Sequence, residues 1–415
     1  MKLWLPTFSA NFFIVACGTL SGILAARLLG AEDRGLLGAL VFWPHFLAGM
    51  VAMGLNEGIV IYTAKFSVTK TIKSTIFALS IFLAILGGVA GFYLMPLLLN
   101  ESRQDYVLFS KIYLLVFLPF TFLAQNYLAL DQGEFKFRRF NIQRGLQAVI
   151  YPLLLLVFWL TDTMTVEHAA IAVLAGTAIV ALTRVWHVRF SLKKFPSLLE
   201  ANYLLKMSSR LHVVNILMFL SMQLDKMALI LFSTDFELGL YTVAVTVAGT
   251  IVSLFVQTFI NIMLPTAALF ELEKGNFKEV IIPLRRLIGV VLISTILLVL
   301  SIQYLIVFVF GNEFAAAGSY AQILLIAFAF VGVKKALVYL LRSWKENRPA
   351  IFGESLSTLV LVVGAYSIVT WKGTIGLCVL VAIAHAMGAA LVSYFFLRKT
   401  GLKLKQFVLF KSNLF

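Results

Sequence analysis

The residues with chemistry to offer are few, and they stand where ionisable side chains are rare. Glu57, Asp225, Lys226, Lys334 and Lys335 all interrupt apolar runs, and Arg27, Arg184, His45 and His385 lie inside or at the edge of others. A charge at the centre of a membrane helix costs about 2.5–3.5 kcal/mol or more, so each needs a partner or a function. A carboxylate at such depth binds Na⁺, or takes up a proton when burial disfavours its charged form. Lysine and arginine attract phosphate through charge-assisted hydrogen bonds.

Depth sorts these residues. A long cationic side chain near a helix end can snorkel to the interface, which is open to both Arg27 and Arg184. Asp225 and Lys226 lie about 14 residues, or ~21 Å, into their span, and a short aspartate cannot snorkel from there. They either pair with other helices or face a wet cavity. Glu57 stands in Gly54-Leu-Asn-Glu57-Gly58, where a bound cation or proton and a basic partner are both open readings. Lys334 and Lys335 diverge by about 100° on a helix, so at most one of them faces a lumen squarely. His45 and His385 fall near midplanes, where a lone histidine commonly hydrogen-bonds a neighbouring helix. Together the deep charges are more basic than acidic, which suits a water-filled cavity for a phosphate-bearing substrate. The expected substrate-binding set is therefore Arg27, Lys226, Lys334 and Lys335. Glu57 and Asp225 are the expected ion-coupling pair, with no catalytic residue, metal or cofactor.

The elements that carry these residues are set by composition. Of 415 residues, 61% are hydrophobic and 13% charged, with a mean hydropathy of +0.97. A soluble fold needs more polar surface than this, so the chain is read as an all-α integral membrane protein. About 20 apolar residues cross a bilayer. On that measure about twelve spans emerge, at 8–28, 37–63, 74–99, 107–130, 142–161, 167–188, 211–232, 239–268, 284–310, 318–341, 351–371 and 375–397. The first is too long for a signal-peptide core and is read as a retained anchor. The runs lack the alternation of a membrane barrel.

The net charge of +15 would suggest nucleic acid in a soluble protein, but the positions of the cations say otherwise. Alternate connections hold 25 of the 34 Lys and Arg residues, while the other set holds only Arg27, Arg34, Arg103, Lys111 and Lys372. By the positive-inside rule both termini are cytoplasmic. The outer loops, GAEDRG, NESRQD, TDTMTVE, STDFE, GNEFAAA and WKG, are too short for a catalytic domain. Neither a P-loop nor G-x-S-x-G nor H-E-x-x-H occurs, and Cys17 and Cys378 form no metal or disulfide pattern.

The longest inner connection divides the spans six and six, predicting an N-terminal lobe over 1–195, a cytoplasmic linker over 196–210 and a C-terminal lobe over 211–415. Ser197 and Glu200 have capping-box spacing, which predicts a short amphipathic surface helix or an ordinary linker there. The halves also repeat. Ala31-Glu-Asp33-Arg-Gly35-Leu-Leu aligns, 204 residues on, with Asp235-Phe-Glu237-Leu-Gly239-Leu-Tyr. Tyr127-Leu-Ala-Leu…Lys136-Phe-Arg138 aligns more loosely with Tyr339-Leu-Leu-Arg342…Arg348-Pro349. Two halves with even span numbers would be related by an axis along the membrane normal. The pairs Gly18/Gly22, Gly54/Gly58 and Gly87/Gly91 predict close helix packing.

Two stretches resemble a known family. Leu24-Ala-Ala-Arg-Leu-Leu-Gly-Ala-Glu-Asp-Arg-Gly-Leu-Leu-Gly-Ala-Leu is similar to the first helix pair of Wzx-type bacterial O-antigen and polysaccharide flippases. Leu204-Leu-Lys, Asp225-Lys226 and Glu237-Leu-Gly-Leu-Tyr-Thr-Val-Ala244 resemble that family's "LL+ … D+ … LG-Y--A" rhythm. The resemblance implies the multidrug/oligosaccharidyl-lipid/polysaccharide exporter (MOP) superfamily, with two six-helix lobes around a central cavity. It implies a flippase of the bacterial inner membrane, moving undecaprenyl-pyrophosphate-linked oligosaccharide by alternating access. H⁺ or Na⁺ would drive it, with membrane lipid, a polysaccharide polymerase and chain-length proteins as partners. Asp225 matches the pattern directly and Arg27 lies in the first stretch, whereas Lys226, Lys334, Lys335 and Glu57 rest on depth. The rival readings are a cation-coupled multidrug exporter, whose cavity should be acidic or neutral, and a membrane-embedded polymerase or ligase, which should carry a large outer loop.

Overall fold

The computed structural model describes residues 4–52, 54–260, 278–344 and 346–402, and the regular elements among them are all helices. In order they are α1 (Trp4–Val51), α2 (Leu55–Lys65), α3 (Lys70–Leu98), α4 (Val107–Gly133), α5 (Phe137–Leu160) and α6 (Val166–Val188). There follow α7 (Leu198–Ser221), α8 (Leu224–Phe232), α9 (Asp235–Ile251, continued by a π turn over Val252–Val256), α10 (Lys278–Phe310), α11 (Ala317–Ser343) and α12 (Arg348–Thr400). The far end of the span expected over 239–268 lies outside the described residues. So do the expected inner cations Lys2, Lys274, Lys345, Lys403, Lys405 and Lys411.

Among the described residues, nine helices are long and apolar enough to cross a membrane, and a tenth crossing is the bent pair Asn215–Ser221 and Leu224–Phe232. Two of the nine are double. The 48 residues of α1 and the 53 of α12 far exceed a bilayer at about 1.5 Å per residue. Each reverses at a glycine in the left-handed region, Gly30 (φ 79°) and Gly373 (φ 63°), where a side chain would clash with the following carbonyl. Splitting both brings the crossings to the twelve read from the sequence. The helices present large apolar side chains outward, as with Leu97, Tyr304 and Phe308, an arrangement that lipid tolerates and water does not. Trp371, 75% exposed, lies under the Lys372 ammonium at the α12 reversal, as an interfacial anchor would.

By its internal contacts the chain forms two compact units. One holds Met1–Phe219 with Thr234–Gly239, and the other holds Leu220–Ser233 with Leu240–Phe415. The first boundary falls in the last turn of α7, just ahead of the break to α8. The connection at 196–210 is different from a separate surface helix, because α7 runs unbroken for 24 residues from Leu198. Half of the capping box forms, with Ser197 Oγ accepting from the Glu200 N–H at 3.3 Å. The other half is redirected to Thr75 of α3, whose hydroxyl accepts from the Ser197 N–H (2.9 Å) and lies 3.2 Å from the Glu200 carboxylate.

Small residues let backbones meet in the first unit. A Cβ on Gly91 would strike Leu114 and Leu47, and one on Gly58 would strike Ser208, whereas Gly18 has nothing within 4 Å and makes no such contact. The sharpest approach joins the repeated outer turns. A Cβ on Gly35 would collide with the Asp235 carbonyl, and one on Gly239 with the Ala31 carbonyl. Ala31 and Gly35 are the repeat partners of Asp235 and Gly239, so the contact is reciprocal, as a two-fold axis generates. Buried Arg103 secures this crossing, its Nε donating to Asp235 at 2.9 Å.

Candidate functional site

The second unit contains a buried polar cluster built from α11, the two arms of α12 and the end of α7. The Lys334 ammonium (α11) lies 2.7 Å from the Glu354 carboxylate, 3.2 Å from Ser357 Oγ and 3.3 Å from His385 Nδ1, all three on α12. Ser221, the last residue of α7, donates to the same Glu354 oxygen at 2.7 Å. All five side chains are buried. An ammonium has three N–H donors, and here three acceptors take them, which assigns His385 Nδ1 the acceptor role. None remains for a substrate anion. In this structure Lys334, expected from the sequence to bind substrate, is the counter-ion of Glu354.

Glu354 was not among the residues singled out from the sequence. Its signal was there, since Lys334 and Glu354 flank the same short connection between consecutive spans. Reading lysines for function without looking for a carboxylate across the turn missed it. Lys335 behaves differently. Turned about 100° from Lys334, it is half-buried and makes no hydrogen bond or ion pair among the described residues.

Asp225 opens α8, beyond a 46° bend. Its carboxylate accepts from the Lys226 N–H at 2.7 Å and from the Tyr241 hydroxyl of α9, and it is buried. A carboxylate on the first turn also meets the positive end of the helix dipole. Asp225 is thus satisfied by neutral donors and, as found, serves as a strap between α8 and α9 rather than an open ion site. The same bond explains part of the family rhythm: its D and its Y are the two ends of one hydrogen bond, and its G is the crossing glycine Gly239. Lys226 is half-buried beside it.

In the first unit, Arg27 and Glu57 are both exposed on the protein surface. Glu57 lies on the first turn of α2, just beyond Gly54 (φ 67°), which breaks the second span. A Cβ on Gly54 would sit 2.9 Å from the Ser208 carbonyl, so both conformation and space require glycine. Glu57 makes no hydrogen bond or ion pair among the described residues, while its neighbour Asn56 donates to Gln125 at 3.1 Å. Arg184 is structural, 2.7 Å from buried Asp131, which also holds Arg139 at 3.1 Å. Arg144, counted from the sequence among the topological cations, stands inside α5 and donates to Asn11 of α1 at 3.0 Å. His45 bonds its own helix, Nδ1 to the Val41 carbonyl at 2.8 Å. No group of three or more metal-ligating side chains occurs among the described residues. The site residues thus differ in surroundings, with Lys334, Asp225 and Arg184 engaged inside the helix bundle, Glu57 and Arg27 exposed and Lys335 half-buried.

Long apolar helices, broken spans and interior charge define a multi-pass helical membrane protein. The family model for polysaccharide biosynthesis proteins matches residues 23–318, and the chain belongs to that family. The likeness to Wzx-type flippases read from the sequence is borne out. No curated protein matches the sequence. Solved structures share the fold across nearly the whole chain. The lipid II flippase MurJ in an inward closed conformation is 13% identical, covering 95% of this chain and 90% of its own, with a TM-score of 0.77. An inward-facing multidrug resistance MATE family transporter of the MOP superfamily is 16% identical, covering 94% of each chain, with a TM-score of 0.71. A MOP superfamily transporter from Pyrococcus furiosus is 14% identical over 95% of this chain and 96% of its own, at 0.52.

Proposed function

We propose that this protein flips a lipid-linked oligosaccharide, of the undecaprenyl-pyrophosphate class, from the cytoplasmic to the periplasmic leaflet of a bacterial inner membrane. Family membership supports the polysaccharide cargo, and MurJ, described as a lipid II flippase, offers a precedent for a lipid-linked substrate on the same fold. The observation that carries the reading is Lys335, an ammonium within an apolar helix that makes no ion pair among the described residues. With Lys226 it supplies cations for a pyrophosphate, while the polyprenyl tail stays in lipid. Glu57 is the better candidate for H⁺ or Na⁺ coupling, because Asp225 is engaged. The lobes over 1–195 and 211–415 work by alternating access, both termini are cytoplasmic, and polymerase and chain-length proteins receive the product.

Surface polysaccharide display in a deletion strain tests this. Complementation with Lys335→Ala should leave display at least tenfold below wild type at equal protein level, about the worth of one charge-assisted contact, and Lys335→Arg should restore it. Normal display from Lys335→Ala would sink the cationic-substrate reading. Unchanged display together with new drug sensitivity on deletion would point to the exporter instead.

A further inference from the structure

The turn between α4 and α5 forms a cleft apart from the residues considered above for substrate and ion coupling. It encloses about 530 Å³ and is lined by Phe135, Lys136, Phe137, Arg138, Arg139 and Ile142. Phe135 adopts a left-handed conformation (φ 57°), unusual for a bulky residue, and its ring is exposed, edge-on to Phe137 at 6.1 Å. α5 starts two residues on, at Phe137, and no side chain caps its first N–H groups.

The charges of the cleft do not cancel. Lys136 is answered by Glu134 at 2.8 Å, and Arg139 shares Asp131 with Arg184. Arg138 is exposed and makes no hydrogen bond or ion pair among the described residues, and Arg139 Nε is buried with no acceptor. Four cations (Lys136, Arg138, Arg139, Arg184) against two carboxylates (Asp131, Glu134) leave a surplus of two positive charges. Unused donors, an uncapped helix start and excess positive charge together describe an oxyanion site. Its rim is not that of a site for a soluble ion, because Phe135 and Ile142 present bare apolar surface beside the cations. Phosphate chemistry next to apolar surface is that of a lipid headgroup.

We propose that this cleft holds the phosphodiester of an anionic phospholipid. Arg138 and the start of α5 take the phosphate oxygens, and Phe135 and Ile142 meet the glycerol and upper acyl chain. The site is independent of the cargo and would stand if the substrate proved to be something other than a lipid-linked glycan. Both an anionic phospholipid and the pyrophosphate of the cargo lipid present lipid-borne phosphate, and the observations favour the former. A pyrophosphate would call for more than the one unpaired cation, Arg138.

Native mass spectrometry of the full-length protein, delipidated and then titrated with phosphatidylglycerol or phosphatidylcholine, tests the proposal. Wild type should retain phosphatidylglycerol in preference to phosphatidylcholine. Arg138→Ala should weaken that retention about tenfold, the scale of one lost charge-assisted contact, with Arg138→Lys intermediate. Arg138 has no partner to lose, so the thermal midpoint of lipid-free protein should not move, which separates a lost site from a lost fold. Equal phosphatidylglycerol retention by Arg138→Ala and wild type, or equal retention of the two lipids by wild type, would overturn it. Displacement of phosphatidylglycerol by inorganic pyrophosphate would overturn the phospholipid assignment in favour of the cargo headgroup.

Discussion

Two spans of this protein break in mid-course, and each carries a carboxylate on the first turn beyond its break. The environments then diverge. At the first break Gly54 turns the chain through a left-handed conformation, and Glu57 emerges exposed and unpartnered among the described residues. At the second no residue is left-handed: Gln223 lies at φ −121°, ψ −17°, and the helix bends by 46°. Buried hydrogen bonds bracket that bend, Ser221 to Glu354 before it and Tyr241 to Asp225 after it. A helix start attracts a carboxylate in both places. What separates structure from potential function is whether a neighbouring helix supplies a donor.

The largest expected effect comes from removing the anchor ahead of the second break. Glu354→Ala would strand the buried Lys334 ammonium and release Ser221 together, a loss of about 3–5 kcal/mol. Thermal unfolding in detergent should show a large drop, and Lys334→Met/Glu354→Leu should recover most of it, because an apolar pair of similar volume needs no counter-charge. A small drop for Glu354→Ala would mean that the cluster is hydrated rather than dry.

Next comes the strap beyond the bend. Tyr241→Phe leaves the buried Asp225 carboxylate short of a donor and should cost about 1–3 kcal/mol. Once Asp225 is replaced by Ala, the same tyrosine change should add much less, since one bond cannot be lost twice. Additive losses would show that Asp225 has another role at this break. Gly54→Ala probes the first break in the same way. Placing a Cβ at φ 67° costs about 1–2 kcal/mol before any clash with the Ser208 carbonyl is counted. If its thermal midpoint matched wild type, the break at Gly54 would not be a fixed feature of the fold.

The sequence carried the architecture well, because bilayer thickness acts on whole segments and survives uncertainty at single positions. It also carried the repeat, whose register reappears as the reciprocal Gly35 and Gly239 crossing. The site was only half legible. Depth identified Lys334, Asp225 and Arg184 as residues in need of an explanation, but an explanation by partner requires knowing which helices touch. Glu354 and Asp131, which neutralise two of them, looked unremarkable near span ends. Arg144 was lost to the opposite error, being assigned to topology when it lies inside α5. Adjacent lysines show the limit most plainly: a helical angle says that Lys334 and Lys335 part company, and packing alone says which one is engaged.

The smallest effect on stability, and the most informative for function, belongs to Glu57. An exposed carboxylate without a partner contributes little to the fold, so Glu57→Gln should unfold within about 0.5 kcal/mol of wild type. If Glu57 couples transport to a cation, reconstituted vesicles carrying this variant should lose the dependence of flipping on a H⁺ or Na⁺ gradient while still binding the lipid-linked substrate. Asp225→Asn should show the reverse pattern, with weakened stability and gradient dependence kept in whatever fraction folds. Such a crossing of phenotypes is what the two breaks predict, because one carboxylate has spent its charge on the helix bundle and the other has not. Should Asp225→Asn abolish gradient dependence in folded protein while Glu57→Gln preserves it, the roles would be exchanged. The strap to Tyr241 would then be one state of a working ion site, not a fixed element of the fold.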